Sequence, residues 1–340
     1  MLIVPETNAA GHIILWWTPF MSSQEGIRLC GLHKCFFTDN RRYYNNSDLG
    51  VIILWNHFPI TLQHLPDITL LTDMKYFVPI QDKNEQNIAP VLYLQSGCET
   101  PIQRDLYVRE LMKYIPVDSY GACLNNKKLP EKLEVNGTYD VYDEELMKFV
   151  AQYKFTLAIE NSVCTDYITE KIWRPLIVGS VPIYLGSPTI KDWLPNKRSA
   201  ILIEEFPDMK ALAKYLHTLD ADDKLYSEYL EHKLGSSEDE RITNKFLLDN
   251  MKMQKTSILD FECFVCNAIH SKIPKSTINV YDCPTPVDHF NVENTWKQHW
   301  DMGRCQNKVL DDVIVNITSN NYTEDAFDKL VLRNLLQNQC

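Results

Sequence analysis

No stretch of this 340-residue chain reaches the ~20 consecutive apolar residues that a membrane-spanning helix requires. Residues 1–17 include Pro5, Glu6 and His12, and no basic stretch precedes residues 13–17, so neither an anchor nor a secretory leader is expected within it. Internal repeats and low-complexity segments are absent too, which excludes a repeat array. Basic charge is short: 34 Lys and Arg face 45 Asp and Glu, for a formal net charge of −11. A nucleic-acid partner needs a broad basic face and is thereby excluded, whereas one small anionic ligand held by a few local cations is not. What is present is ordinary globular material, 45% apolar and 23% charged, enough for two α/β cores. Residues 204–234 are predicted helical, with Ala211, Leu212, Tyr215, Leu216 and Leu219 on one core-facing side.

The most informative segment runs from Tyr153 to Pro188. An apolar run from Phe155 to Ile159 reads as a buried strand, and the polar Glu160, Asn161 and Ser162 follow it. Asp166 is the predicted N-cap of a helix that carries Glu170 and Lys171 in its first turns; Gly179 is its stop, and Val181 to Leu185 form a second strand closed by Gly186 and Pro188. Pro175 lacks the N–H that would bond the Lys171 carbonyl, so a kink is expected there. The unit is βαβ, and in parallel α/β sheets ligands collect beyond the carboxyl ends of the strands, where helix N-termini favour phosphate. Lys171 suits a diphosphate, and Glu170 offers two oxygens to a pair of ribose hydroxyls. The spacing alone is equally consistent with a solvated helix face and with Asn161 as a loop cap.

Ten cysteines and four sequons, at Asn45, Asn136, Asn316 and Asn321, point to the secretory pathway. Cys263 and Cys266 form a C-x-x-C pair that, with Cys30 and Cys35, fits a four-thiolate zinc site, a redox pair or disulfides.

The string IENSVCTDYITEKIWRPLIVGSVPIYLGSP closely resembles the donor-binding motif of the α-1,3/1,4-fucosyltransferases, glycosyltransferase family ten, with isoleucine at 159 where that family has phenylalanine. VLYLQSGCETPIQRDLYVREL, from Val91, resembles the first strand and helix of the same donor domain; DSYGACLN, from Asp118, is similar to the divergent branch numbered tenth and eleventh. The resemblance implies a GDP-fucose pocket lined by Ser96, Arg104, Glu160, Asn161, Tyr167, Glu170 and Lys171, with Arg104 and Lys171 on phosphate and Glu170 on ribose. It also implies bridges from Cys30 and Cys35 to Cys263 and Cys266, and transfer of L-fucose with inversion to a glycan or glycoprotein acceptor without a metal cofactor. The architecture implied is α/β of the GT-B type, two Rossmann-like domains facing a cleft, in a type II protein of the Golgi or endoplasmic reticulum. The expected boundaries are 1–90 for the acceptor-side domain, 91–262 for the donor domain and 263–340 for a tail.

Residues 12–55 resemble the opening of the family's first domain, with a strand expected from Val51 to Trp55, but the pattern then jumps. The strand end and F-N-x-T stretch that the family carries after this point, and with them its general-base glutamate, are missing between Trp55 and His57. Glu6, Glu25 and Glu85 sit in the wrong context, so no catalytic residue is assigned and the first domain is expected to be incomplete. Donor binding without transfer is the alternative that follows. Beyond Cys283, Phe290, Trp296 and Trp300 form an aromatic cluster in a tail that either packs on the first domain or recognises acceptors.

Overall fold

The structure, a computed structural model, describes residues 12–16, 26–38, 49–51, 66–134, 142–251, 258–271, 283–305, 329 and 332–333. It divides into two compact units, Met1–Phe58 with Lys255–Tyr281 and Lys297–Cys340, and Pro59–Gln254 with Asp282–Trp296. Among the described residues no helix is long and apolar enough to cross a membrane. All four sequons lie outside the described residues.

The first unit holds strands β1 (His12–Trp16), β2 (Gly26–Cys30), β3 (His33–Thr38) and β4 (Leu49–Val51) in the order β2-β3-β1-β4. β1 runs parallel to β3 and β4, whereas β2 and β3 form an antiparallel hairpin. Gly31 turns that hairpin with φ +67°, a conformation that favours glycine. β4 begins two residues before the expected Val51, and residues 52–58 lie outside the described set. A helix, Ile258–His270, is bound to the hairpin by the disulfides Cys30–Cys263 and Cys35–Cys266 and by an ion pair from Arg28 Nε to the buried Glu262 carboxylate at 2.5 Å. Sulfurs joined in this way are not thiolates, which removes the four-thiolate reading of the C-x-x-C pair.

In the second unit, β5 (Val91–Leu94), β6 (Val117–Tyr120), β7 (Phe155–Ile159), β8 (Val181–Leu185) and β9 (Ile201–Leu202) form an all-parallel sheet in the order β6-β5-β7-β8-β9. Strands covered on both faces are continuous apolar runs, and every residue of β7 is buried. Pro182 is tolerated in β8 because β9 pairs only with Ile183 and Tyr184, so no strand lies opposite the proline on that side. Helices cover both faces. Leu146, Phe149, Trp173 and Leu176 belong to one core cluster, and Val108, Leu111, Leu212 and Leu216 to another. Of the predicted apolar side of residues 204–234, Leu212, Leu216 and Leu219 are buried in the Met209–Ala221 helix, but Asp222 caps a new helix and interrupts the expected single run.

Two expected boundaries differ from the units observed. Residues 66–84 belong with the parallel sheet, since the Thr69–Thr72 helix buries Leu71 in the core that holds Trp173. The segment after the C-x-x-C helix is divided, with Asp282–Trp296 in the second unit. Two buried lysines act at helix C-termini, where cations are favoured. Lys83 Nζ donates to the carbonyls of Tyr153 (3.0 Å) and Gly179 (2.7 Å), and Lys233 Nζ to those of Leu70 (3.0 Å) and Asp73 (2.6 Å).

Candidate functional site

The carboxyl ends of the adjacent strands β5 and β7 bring most of the singled-out residues together. After β5 the chain turns through residues 95–103 into the Arg104–Leu111 helix, so Arg104 is its first residue. Arg104 as a residue is 2% exposed. Nη1 donates to Asn161 Oδ1 at 2.5 Å and Nη2 to the Gly97 carbonyl at 2.6 Å, joining the two strand-end loops. Arg104 Nε is buried with no hydrogen-bond partner among the described residues. Burial lowers the Arg104 pKa, and the same burial pushes neighbouring Tyr93 up to about 12. Cys98–Cys123 ties this loop to the end of β6. Gly121 closes the connection at φ +88°, where a Cβ would lie 2.4 Å from the Gln95 carbonyl oxygen.

Glu160 directly follows β7 and is 0% exposed. Its Oε1 accepts from the Thr169 N–H and its Oε2 from the Thr169 hydroxyl, both at 2.7 Å. Lys171 Nζ donates to Thr169 Oγ1 at 2.9 Å and lies 3.3 Å from Glu170 Oε1 and 3.4 Å from Glu160 Oε2. Burial raises the Glu160 pKa, with Lys171 opposing. For Lys171, burial acts downward but the Glu160 and Glu170 carboxylates outweigh it, so its pKa is raised and it is an ammonium at neutral pH. Tyr167 is pushed up to about 12 by burial and by Glu160.

Two local expectations change. The N-cap of the Glu170–Val178 helix is Thr169, whose hydroxyl accepts from the Lys171 N–H, and not Asp166. Asp166 sits at φ +57° and instead takes hydrogen bonds from Thr189 Oγ1 (2.6 Å) and Trp193 Nε1 (3.1 Å), which fasten the loop to the turn after β8. Glu160, expected to line a donor pocket, is fully buried with both oxygens hydrogen-bonded to Thr169. Asn161 and Ser96 are exposed, and Tyr167, Glu170 and Lys171 are half-buried. The helix continues through Pro175 to Val178, and Gly179 ends it at φ +73°. Sequence reasoning missed Thr169, Tyr93, Gln103 and the disulfides Cys98–Cys123 and Cys164–Cys283. A threonine immediately before Glu-Lys is itself an N-cap signal and would have found Thr169.

Residues 81–282 match the family model described as Glycosyltransferase family 10 (fucosyltransferase) C-term. An alpha-(1,3)-fucosyltransferase B of Drosophila melanogaster is 38% identical over 346 residues, spanning 95% of this chain and 73% of its own length. The chain belongs to glycosyltransferase family 10. Within that fucosyltransferase family, GDP-fucose protein O-fucosyltransferase 3 of Homo sapiens is 40% identical over 323 residues, spanning 77% of this chain and 66% of its own. The Gallus gallus protein of the same name is 37% identical and matches over 403 residues, 94% of this chain and 83% of its own. That span exceeds the 340 residues of the present family member, so the Gallus gallus relative carries internal residues that this chain lacks. A solved alpha1,3-fucosyltransferase aligns at a TM-score of 0.40 and 21% identity, over 56% of this chain and 47% of that one.

Proposed function

We propose that this family 10 chain binds GDP-fucose at the carboxyl ends of β5 and β7 and transfers L-fucose, with inversion, to a hydroxyl of a glycan or glycoprotein acceptor. The observation that carries the reading is the convergence of Arg104 and Lys171, from two strand-to-helix junctions, at the carboxyl end of a parallel sheet. A nucleoside diphosphate is the anion suited to that end. Arg104 supplies a planar fork, and Lys171 supplies a point charge. With the positive end of the Glu170–Val178 helix dipole they neutralise the diphosphate in place of a metal ion. Glu170 accepts from the ribose hydroxyls, and Asn161, Tyr167 and Ser96 line the pocket, while Glu160 supports it from below.

In the reaction, the acceptor oxygen attacks the anomeric carbon on the face opposite the diphosphate, a general base takes its proton, and GDP leaves as its charge grows. Arg104 and Lys171 stabilise that departing charge. No residue of this chain is nominated as that base. The disulfides suit the oxidising lumen of the Golgi or endoplasmic reticulum, where the family's type II anchor would hold the protein. A second reading, donor binding without transfer, is favoured by the 403-residue match that outruns this chain.

Titration calorimetry with GDP, followed by incubation with labelled GDP-fucose and panels of glycan and protein acceptors, tests both readings. Label on an acceptor supports transfer and identifies its class. GDP binding without label supports the second reading, and no GDP binding overturns the site.

A further inference from the structure

The segment Asp282–Trp296 lies far from the donor-site residues in sequence, and Cys283 is the first residue beyond the 81–282 family match, yet it belongs to the same compact unit. Its contacts fall on the two loops that form the site. Cys283 is disulfide-bonded to Cys164, in the loop between β7 and the Lys171 helix, across 119 residues of sequence. At its other contact, the Gln103 side chain spans the segment, with Oε1 accepting from the His289 N–H at 3.0 Å and Nε2 donating to the Glu293 carbonyl at 3.0 Å. Asn294, buried, donates to the carbonyls of Pro101 and Val287, both at 2.8 Å. Tyr107, one turn into the Arg104 helix, meets the His289 ring through its hydroxyl at 2.9 Å and the edge of Phe290 at 5.0 Å between centroids.

The backbone agrees with a fixed arrangement. Gln103, Phe290 and Asn291 have φ of +49°, +53° and +59°, and non-glycine residues hold such conformations only where their surroundings over-determine them. Gln103 immediately precedes Arg104 as the residue at the helix start. The Arg104–Asn161 hydrogen bond then crosses from the loop that Gln103 anchors to the loop that Cys164 anchors.

We propose that residues 283–294 act as a strap that holds the two donor-site loops in register, with Gln103 as the positioning residue through which it aims Arg104; this rests on the donor-site reading above. Gln103 touches no donor atom in this scheme. Its effect is geometric, and displacement of a binding group by about an ångström is enough to change rate or affinity by up to ~10²-fold.

The test is a double-mutant cycle on the full chain, read as the GDP dissociation constant by calorimetry. Gln103→Gly removes the bridge while glycine accepts the left-handed backbone without strain, so the fold is kept. It is expected to weaken GDP binding roughly ten-fold in the native background and to have almost no effect in an Arg104→Ala background, because its action passes through Arg104. Paired Cys164→Ala and Cys283→Ala substitutions, which leave Gln103 in place, are expected to weaken GDP binding as well. Unaltered affinity in both strap variants, or an equal loss with and without Arg104, would overturn the strap's role while leaving the donor site standing. Failure of the native chain to bind GDP would instead overturn the donor-site reading, and the strap's role with it.

Discussion

The Arg104 guanidinium donates to Asn161 Oδ1 at 2.5 Å, so two loops meet at the carboxyl end of the sheet through a single pair of side chains 57 residues apart in sequence. That contact defines the site more sharply than either loop does by itself, because Arg104 is buried and Asn161 exposed.

Lys171→Ala is expected to weaken GDP binding by about 1.5–3 kcal/mol, the range for a hydrogen bond to a charged group. Calorimetry on the full chain checks this, and an unchanged affinity would remove Lys171 from the phosphate site.

Glu160→Ala leaves the Thr169 N–H and hydroxyl buried without their acceptor. A loss of about 1–3 kcal/mol in unfolding free energy is expected, with a smaller loss for Glu160→Gln, which keeps one acceptor oxygen. Equal stability of all three proteins in denaturant melts would contradict the support role given to Glu160.

Buried Lys83 and Lys233 give the second unit a pH dependence. Burial lowers each to about 7 from 10.5, with Lys154 adding to the effect at Lys83 and Asp73 opposing it at Lys233. A depressed folded-state pKa contributes stability that is complete above the unfolded value and is lost as pH falls, so these lysines favour folding near pH 10.5 and progressively less toward pH 7. The slope is at most ~1.4 kcal/mol per pH unit for each lysine. Lys83→Met is expected to flatten the dependence of the melting midpoint between pH 7 and pH 10, and an unchanged profile would count against the assignment.

Non-reducing peptide mapping should recover Cys30–Cys263, Cys35–Cys266, Cys98–Cys123 and Cys164–Cys283 as linked pairs. Bridges that close loops of 233 and 231 residues are the most consequential, and their removal is expected to cost about 2–5 kcal/mol. Free thiols at these positions would refute the pairing.

Transfer is expected to be weak in this chain and restored when a relative's full-length first domain replaces residues 1–58, since a general base contributes roughly 10²–10⁴ in rate. Equal turnover of the two proteins would show that a carboxylate already present serves as base.

The sequence by itself determined the elements and the chemistry near them. β7 and β8 were legible because a strand buried on both faces must be a continuous apolar run, and the Glu170–Lys171 helix because polar loop, cap and glycine stop are local signals. Even so, local signals pointed to Asp166 as the N-cap, a place that Thr169 takes. The tertiary structure decided between them, because Thr189 and Trp193 draw Asp166 toward the turn after β8. Only the folded chain buried Glu160 against Thr169, gave residues 66–84 to the parallel sheet and brought Cys283 to Cys164. Each of these depends on partners tens to more than a hundred residues away, and spacing along a chain constrains a residue's neighbours within a turn or a strand while leaving distant packing open until the core that buries them has formed.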